Sequence, residues 1–351
     1  MKILERRSIL PFALAVAVGA VAEPAPPYPR SDLLAGISFD RQTLQRSAEG
    51  SDIWSCAWAG DGHLYAAWGD GGGFGGTDQK GRVSLGVARI IGAPPHWKGI
   101  NVWGGWKAVS RQKPTEGKAT MIAADGGLYL YVSEQGAWNR CRLWKSRNGG
   151  RTWTNCGWIF PKSHKAFAFP GLVQFGRDNH LSPEGYVYGL SDNGLRRVHD
   201  DRLYLFRVKA GRIEDLAAYQ YFAGTEQAPR WSGNIDEMKP VFFNPAGISW
   251  GSTCVYDPAV GRFLLAATTH EEQGDWGLFE SRHLWGPWRT VAYAEDFPAW
   301  TYSPAEKKRP AYLHTFPAKW MGSDGKTLWC VFDRGDHFNL VQCALVLKPG
   351  R

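Results

Sequence analysis

Residues 51–70 read SDIWSCAWAGDGHLYAAWGD, two apolar runs joined by a short turn that contains glycine. Asp-Gly between two apolar runs is a signal for a β-hairpin, so this segment predicts two antiparallel strands that meet at Gly60–His63. Because the strands run in opposite directions, the hairpin brings Asp52 and Asp70 to the same open end. The segment therefore predicts both a local fold and a pair of neighbouring carboxylates.

The same pattern of apolar strand, glycine turn and second strand occurs five times along the chain. The five turn glycines are about 59 to 76 residues apart, a period that suits a four-stranded propeller blade with long loops. The sequence therefore predicts an all-β fold, specifically a five-bladed β-propeller, with a β-sandwich as the alternative because Asp-Gly turns also occur there. The turn glycines are Gly62, Gly126, Gly185, Gly261 and Gly325.

The composition agrees with an all-β chain. There are 42 glycines and 21 prolines, aromatic residues make up 14% of the chain, and an amphipathic helical pattern is plausible only in Ile213–Tyr221. We expect Ile37–Leu44 to pair with the last blade, which would leave no free sheet edge.

The N-terminal residues resemble an export signal. Lys2, Arg6 and Arg7 precede an apolar run that ends in Ala20-Val21-Ala22, a small-x-small cleavage pattern. The run is shorter than the roughly 20 residues that span a bilayer, so we interpret 1–22 as a signal peptide rather than an anchor. The Arg pair leaves twin-arginine and general export both open. Residues 23–35 form a proline-rich leader, and 36–351 form a single propeller domain.

The net charge and the cysteines indicate which binding partners and which disulfides to expect. The formal net charge is +8, but Lys and Arg are scattered among acids instead of forming a stripe, which argues against a nucleic-acid partner. We expect a periplasmic or secreted monomer with no membrane contact after signal cleavage. Two cysteine pairs flank predicted hairpins and suggest disulfides, Cys330 with Cys343 and Cys141 with Cys156.

The second strand of each repeat closes at a polar residue, and in a propeller those ends face one basin. Two carboxylates in one site have their pKa values pushed apart, which lets one act as acid while the other stays ionised, as glycoside hydrolysis requires. We expect Asp52, Asp70 and Asp192 to be catalytic, and His270 and Glu271 to contact substrate. The alternative is that Asp70 starts an ordinary turn and Asp52 an ordinary strand.

Tryptophan is unusually frequent, with 18 residues. Tryptophan rings stack on the apolar faces of sugars, so Trp54, Trp68, Trp231 and Trp250, near strand ends, are candidate sugar platforms. A further segment, Ser146–Trp153, resembles the Asp-box of sialidase-type propellers, with Asn148 in the usual aspartate position. Such a turn is structural, held by hydrogen bonds from the Asn148 side chain to nearby backbone.

Together these segments resemble the family catalogued as domain of unknown function 4185, whose characterised members are endo-D-arabinanases. The resemblance is carried by residues 51–58, 68–71, 146–153, 172–176, 185–188 and 285–288. It implies a five-bladed propeller that cleaves furanosidic linkages in cell-wall arabinan, with Asp52 and Asp70 matching the family's acidic pair. It also implies Lys118 as a substrate-binding residue, although 117–121 departs from the family pattern.

The sequence therefore predicts an exported glycosidase that binds a polysaccharide or oligosaccharide. The alternative is a carbohydrate-binding propeller without catalytic activity. A sialidase is a weaker option, because no group of arginines forms an evident carboxylate clamp. We expect no cofactor; calcium on the axis stays open, without a loop motif that identifies it.

Overall fold

The computed structural model describes residues 25–134, 140–160, 167–192, 200–270, 275–294, 297, 299–301 and 311–350. Within these ranges the regular elements are β-strands and short 3-10 helices, so the fold is all-β as the sequence predicts. No helix in the described part is long and apolar enough to cross a bilayer. The segment 1–22, interpreted as a signal peptide, lies outside the described residues.

The first strands in chain order are β1 (Leu34–Ser47), β2 (Asp52–Trp58), β3 (Leu64–Gly69), β4 (Leu85–Ala93), β5 (His96–Trp103), β6 (Lys118–Ala124), β7 (Gly127–Ser133), β8 (Cys141–Ser146), β9 (Thr154–Ile159) and β10 (Gly171–Gln174). The remaining strands are β11 (Tyr186–Ser191), β12 (Asp200–Lys209), β13 (Gln220–Phe222), β14 (Trp231–Ser232), β15 (Pro240–Asp257), β16 (Arg262–His270), β17 (Asp275–Ser281), β18 (Arg289–Ala294), β19 (Tyr312–Thr315), β20 (Thr327–Asp333) and β21 (Phe338–Leu347). The 3-10 helices are Arg177–Asn179, Pro183–Gly185, Ala210–Arg212, Leu216–Ala218, Ile235–Glu237, Ala299–Thr301 and Ala318–Trp320.

The strands form five groups. Group 1 is β2–β5 and group 2 is β6–β9, each an antiparallel four-stranded sheet. Group 3 (β10–β14) and group 4 (β15–β18) share one nine-stranded sheet, joined by a parallel pairing of β10 with β15. Group 5 is β19–β21 completed by β1, which pairs antiparallel with β21. The predicted pairing of Ile37–Leu44 with the last group is therefore confirmed.

The repeated glycine turns lie at equivalent positions, each between the first and second strand of a group. All five glycines have a positive φ of 63–83°, a region in which glycine is not penalised. The second strands end where the sequence indicates, β3 at Gly69, β7 at Ser133, β11 at Ser191, β16 at His270 and β20 at Asp333.

Neighbouring groups pack through five apolar clusters. One cluster joins groups 1 and 2, and the following clusters join 2 with 3, 3 with 4, 4 with 5, and 5 with 1. The first strands contact one another in the same order, from β2 to β6, β10, β15, β19 and back to β2. Among the described strands the backbone hydrogen bonds form no closed sheet, so the cyclic order rests on these contacts between neighbouring groups.

Side chains of the first strands hydrogen-bond to the backbone of the next strand. Between β2 and β6, the Ser55 hydroxyl accepts the backbone N–H of Met121 at 3.0 Å. Between β6 and β10, the Gln174 amide donates to the Met121 carbonyl at 3.2 Å. The Thr120 hydroxyl also donates to the carbonyl of Pro170, just before β10, at 2.6 Å. Polar atoms therefore join the first strands of groups 1, 2 and 3.

Two further pairs of first strands are joined by side-chain hydrogen bonds. The Thr253 hydroxyl of β15 donates to the His314 carbonyl of β19 at 2.6 Å, and the Thr315 hydroxyl of β19 donates to the Trp54 carbonyl of β2 at 3.2 Å. β10 and β15 are joined by their parallel backbone pairing. Residues of all five first strands line one small cavity.

Two local predictions are wrong. The segment Ile213–Tyr221 is not an α-helix; it contains the 3-10 helix Leu216–Ala218 and then enters β13. The Asp215 side chain accepts the Ala217 N–H at 3.0 Å and so stabilises a short turn. Buried Tyr219 packs between sheets and holds the segment in place without an α-helix.

The predicted disulfides are also wrong, because all six cysteines are free thiols. In the β20–β21 hairpin Asp333 pairs with Phe338, so Cys330 lies opposite Val341 rather than Cys343. The two sulfur-bearing residues are diagonal neighbours, too far apart for disulfide geometry. Between β8 and β9 an irregular register likewise leaves Cys141 and Cys156 without a direct pairing.

We predict that Thr315→Val lowers the free energy of unfolding by about 1–3 kcal/mol, because the buried Trp54 carbonyl loses its donor. Equilibrium urea unfolding measures this. Thr154→Val, at an exposed strand position, is the matched control and should change stability by less than about 0.5 kcal/mol. Equal effects of the two substitutions would contradict the role given to the Thr315 hydroxyl.

Candidate active site

Two carboxylates and one lysine meet at the open end of the first hairpin. The Lys118 Nζ atom lies 3.0 Å from Asp52 Oδ1 and 2.9 Å from Asp70 Oδ2. The side chain of Lys118 is 7% exposed, that of Asp52 21% and that of Asp70 36%. The predicted convergence of the two acids is therefore present, with a buried ammonium group between them.

Lys118 reaches the acids from the neighbouring sheet. It is the first residue of β6, whereas Asp52 opens β2 and Asp70 follows β3. Gly69 makes room for this arrangement: a Cβ atom there would overlap the Cδ and Nζ atoms of Lys118 and the Asp52 carboxylate. The Gly-Asp sequence at the end of β3 thus supplies both the space for the lysine and one of its partners.

A second cation lies beside Asp70. The guanidinium of Arg82 is 3.4 Å from Asp70 Oδ1 and also pairs with Asp78. Asp70 has a positive φ of 52°, which directs the chain into the glycine-rich loop that follows. Asp70 therefore contacts two positive charges and is more exposed than Asp52.

A third acid, Asp333, ends β20 and is buried, with 1% exposure. Its carboxyl group accepts hydrogen bonds from the backbone N–H groups of His337 and Ile53, and the second of these joins group 5 to the residue that follows Asp52. Burial, and then the nearby charges of Asp52 and Asp336, raise the pKa of Asp333 well above its usual range.

Asp52 is itself perturbed. Burial raises its pKa to about 6, although the charge and hydrogen bond of Lys118 act in the opposite direction. The charges of Asp70 and Asp336 add to the increase. A carboxyl group with a pKa near the working pH has the property required of a general acid.

The backbone beside Asp52 is strained. Ile53 has a φ of 55°, an unfavourable value for a β-branched residue, and the pairing of β2 with β3 is irregular between Asp52 and Ser55. Buried Ile53 packs against Phe169 and Leu313, and Leu313 also has a positive φ. Strain of this kind persists only where surrounding contacts hold it, and it is concentrated at functional sites.

The glycine-rich loop after Asp70 is held in one arrangement by residues that the sequence reasoning missed. The side chain of buried Asn101 donates to the carbonyls of Gly72 and Phe74 at 3.1 Å each, and accepts the Phe74 N–H at 2.9 Å. The Ser51 hydroxyl accepts the Gly73 N–H at 2.9 Å. A lone amide inside the apolar run Ile-Asn-Val-Trp was the available signal for Asn101.

Two predicted sugar platforms are wrong. Trp54 and Trp68 have no exposed surface, and their rings stack on each other at 5.6 Å in the cluster between groups 5 and 1. Trp231 is half-buried and packs against Phe222 and Trp285, and its role as a sugar platform stays a prediction.

The other predicted site residues are placed as follows. Asp192 follows β11 and is buried, whereas the ion pairs described for Lys118 go to Asp52 and Asp70. Trp250 and His270 lie on β15 and β16, but their side chains are outside the described part of the structure, and Glu271 is outside the described residues. Their roles stay predictions.

The turn at Asn148 has the hydrogen bonds that the sequence indicated. Asn148 Oδ1 accepts the Thr152 N–H at 2.9 Å, and Trp153 is buried between groups 1 and 2. Within the described residues, no group of three or more His, Cys, Asp or Glu side chains is arranged to hold a metal ion.

Comparison with known proteins gives one family. The model of the family described as domain of unknown function (DUF4185) matches residues 109–315, more than half of the 351 residues. The matched range contains Lys118 but begins after Asp52 and Asp70. A comparison with curated proteins finds no match.

Solved structures share the fold at low sequence identity. A GH43_1 enzyme from Xanthomonas citri has a TM-score of 0.52 at 11% identity, covering 87% of this chain and 91% of its own. The RS223 beta-xylosidase has a TM-score of 0.53 at 10% identity, covering 88% and 98%. A protein from Bacteroides ovatus has a TM-score of 0.54 at 10% identity, covering 88% and 90%. At these identities the similarity shows the fold alone.

The raised pKa of Asp52 predicts a specific pH dependence of stability. A carboxyl group that binds its proton more tightly in the folded protein stabilises the fold at low pH, and this contribution is lost as pH rises through about 6. We expect the unfolding free energy of wild type minus that of Asp52→Asn to decrease from pH 4 to pH 7. Urea unfolding at each pH measures it, and a pH-independent difference would show that Asp52 titrates normally.

Proposed function

The chain belongs to the DUF4185 family, and we propose that it is an exported glycoside hydrolase that cleaves a cell-wall or environmental polysaccharide through Asp52 and Asp70. The observation that carries the proposal is the convergence of both carboxylates on the Lys118 ammonium group, at 3.0 and 2.9 Å. Glycoside hydrolysis requires two carboxyl groups in one site with different protonation states. The shared fold with a GH43 enzyme and a beta-xylosidase supports the same reaction class.

The proposal includes a five-bladed propeller. Five strand groups, five apolar clusters between successive groups and five first strands around one small cavity support this blade count. In such a ring β1 completes the last blade beside β21, and the second-strand ends of the blades face one basin.

The two acids take different roles. Asp52, with a pKa raised to about 6 by burial, protonates the leaving oxygen. Asp70, more exposed and beside both Lys118 and Arg82, is the ionised partner that activates water or attacks the anomeric carbon. Lys118 contacts both carboxylates and positions them, and its charge keeps the pKa of Asp52 from rising further.

The substrate class is proposed from the sequence resemblance. Arabinan is the polymer that the resemblance of 51–58 and 68–71 to endo-D-arabinanases implies. In this proposal residues 1–22 direct export. The mature protein then acts as a periplasmic or secreted monomer that needs no cofactor. The alternative function, a carbohydrate-binding propeller without chemistry, uses the same basin.

We expect Asp52→Asn and Asp70→Asn each to lower the rate of polysaccharide hydrolysis by about 10²–10⁴-fold, since each removes one member of the acid–base pair. Reducing-end release from a panel of arabinans, xylans and galactans measures this. Asp61→Asn is the matched control, because Asp61 lies on the turn of the same hairpin, where its Oδ1 accepts the His63 N–H at 2.9 Å.

A wild-type protein that binds a polymer in the panel but releases no reducing ends would contradict the hydrolase and favour the binding propeller. Hydrolysis that survives both substitutions at the wild-type rate would place the chemistry elsewhere.

Lys118→Met tests the positioning role. Loss of its charge removes an effect that lowers the pKa of Asp52, so the basic limb of the pH–rate profile should move to higher pH. We also expect kcat to fall by about 10²-fold because the acids lose their common partner. Lys118→Arg keeps the charge and should return the basic limb toward the wild-type position, whereas an unshifted limb in Lys118→Met would exclude coupling to Asp52.

A further inference from the structure

A third carboxyl group, that of Asp333 at the end of β20, contacts the backbone beside Asp52. The pairing of β2 with β3 is irregular between Asp52 and Ser55, and Ile53 lies within this irregular stretch. The Ile53 N–H donates to the Asp333 carboxyl group. Irregular strand pairing of this kind re-aims a side chain and is common next to active sites.

Group 5 holds Ile53 in two ways. Asp333 accepts its N–H, and its side chain packs against Leu313 of β19. The backbone of Ile53 has a φ of 55°, which is unfavourable for a β-branched residue. A strained conformation persists only while surrounding contacts hold it. The direction of the Asp52 side chain, one residue earlier in the chain, therefore depends on these contacts.

The surroundings of Asp333 favour an uncharged carboxyl group. Asp333 is 1% exposed, and its Oδ1 atom has no hydrogen-bond partner among the described residues. A buried carboxylate is costly unless a cation pairs with it and its oxygens accept hydrogen bonds. The ammonium group of Lys118 pairs with Asp52 and Asp70 instead.

The nearest charges favour the same state. Asp52 of β2 and Asp336 of the turn after β20 act on Asp333 as negative charges, and after burial they are the largest causes of its raised pKa. A neutral carboxyl group still accepts an N–H. Asp333 can therefore hold Ile53 without adding a further negative charge beside Asp52.

Two basic residues follow Asp333 in the turn. The His337 backbone N–H donates to the Asp333 carboxyl group, and the His337 ring Nδ1 lies 2.6 Å from the Gly335 carbonyl oxygen. The Arg334 guanidinium donates to the Phe297 carbonyl at 3.3 Å. The strongest effects that lower the pKa of Asp333 come from backbone N–H groups rather than from these side chains.

We propose that Asp333 is a positioning residue, whose uncharged carboxyl group holds the Ile53 N–H and thereby keeps Asp52 beside Asp70 and Lys118. The inference rests on the proposed function, in which Asp52 is the acid, and it adds a role for group 5. Because Asp333 acts through the backbone of Ile53, its acceptor oxygen matters and its charge does not.

The first test measures ionisation without hydrolysis, by carboxyl-carbon NMR of the full chain labelled at aspartate. The Asp52 and Asp333 signals are assigned by their loss in Asp52→Asn and Asp333→Asn. We expect Asp333 to stay protonated at pH 7 and Asp52 to titrate near pH 6. Asp333→Asn keeps an acceptor oxygen and should leave the Asp52 midpoint in place. Asp333→Leu should lower it by about one pH unit or more, because the released carboxyl group is better solvated.

The second test measures hydrolysis of a polymer that wild type cleaves. Asp333→Leu should lower kcat by about 10²-fold and change KM by less than about threefold, as expected for a misplaced catalytic group. Asp333→Asn should recover most of the lost kcat. In the Ile53→Gly background the effect of Asp333→Leu should be about tenfold smaller, because glycine adopts a positive φ without strain.

Asp324→Leu is the matched control. Asp324 precedes the other end of β20, and its exposed carboxylate accepts the N–H groups of Lys326 and Thr327 at 2.9 Å each. It holds backbone through the same type of hydrogen bond, so its loss should change neither the Asp52 midpoint nor kcat. The thermal unfolding midpoint of each variant shows whether the fold is intact.

Three results would overturn the proposal. One is an ionised Asp333 in wild type at pH 7, a measurement made on the wild-type fold. Another is an Asp52 midpoint that shifts equally in Asp333→Asn and Asp333→Leu, which would make Asp333 a source of charge. The third is a midpoint that shifts in neither variant. If wild type hydrolyses no polymer but the Asp52 midpoint shifts only in Asp333→Leu, the proposed function fails and the hold on Asp52 is supported.

Discussion

The hydrogen bonds between the first strands of neighbouring sheets are the constraint on which the structure depends. Each first strand lies at one edge of its group of strands, so backbone groups on that side need partners from outside the group. Ser55, Thr120, Gln174, Thr253 and Thr315 serve this purpose, together with the parallel pairing of β10 and β15. Because the hydrogen bonds of these short hydroxyl and amide side chains are directional, they fix the position of each sheet along the first strands relative to the next sheet.

The acid cluster, formed by Asp52, Asp70, Asp333 and Lys118, follows from that fixed arrangement. Asp52 belongs to group 1, Lys118 to group 2 and Asp333 to group 5, so their contacts exist only when three sheets are aligned. The Asp333 carboxyl group accepts the N–H of Ile53, whose positive φ directs the backbone at Asp52. A shift of one sheet would therefore separate the charges and release the strained residue together.

The sequence predicted what is local and missed what depends on contacts between sheets. Glycine turns and strand ends are set within a few residues, so the hairpin that unites Asp52 with Asp70 was predictable. Whether Trp54 faces solvent or a neighbouring sheet depends on packing partners more than 250 residues away, such as Phe338. For the same reason the contact of Lys118 with both acids had no signal in its own segment. The disulfide prediction failed on a small difference in hairpin register.

Fold stability does not account for the acid cluster. Removing charges from water costs several kcal/mol per ion, and apolar side chains of similar volume often stabilise a protein equally well or better. Here Lys118 is almost fully buried, Asp52 has a raised pKa, and Ile53 holds an unfavourable φ beside it. Three separate costs at one strand end are difficult to explain by packing, because neighbouring segments of the same strands use apolar residues. The proposed reaction, which needs a protonated and an ionised carboxyl group side by side, would explain all three.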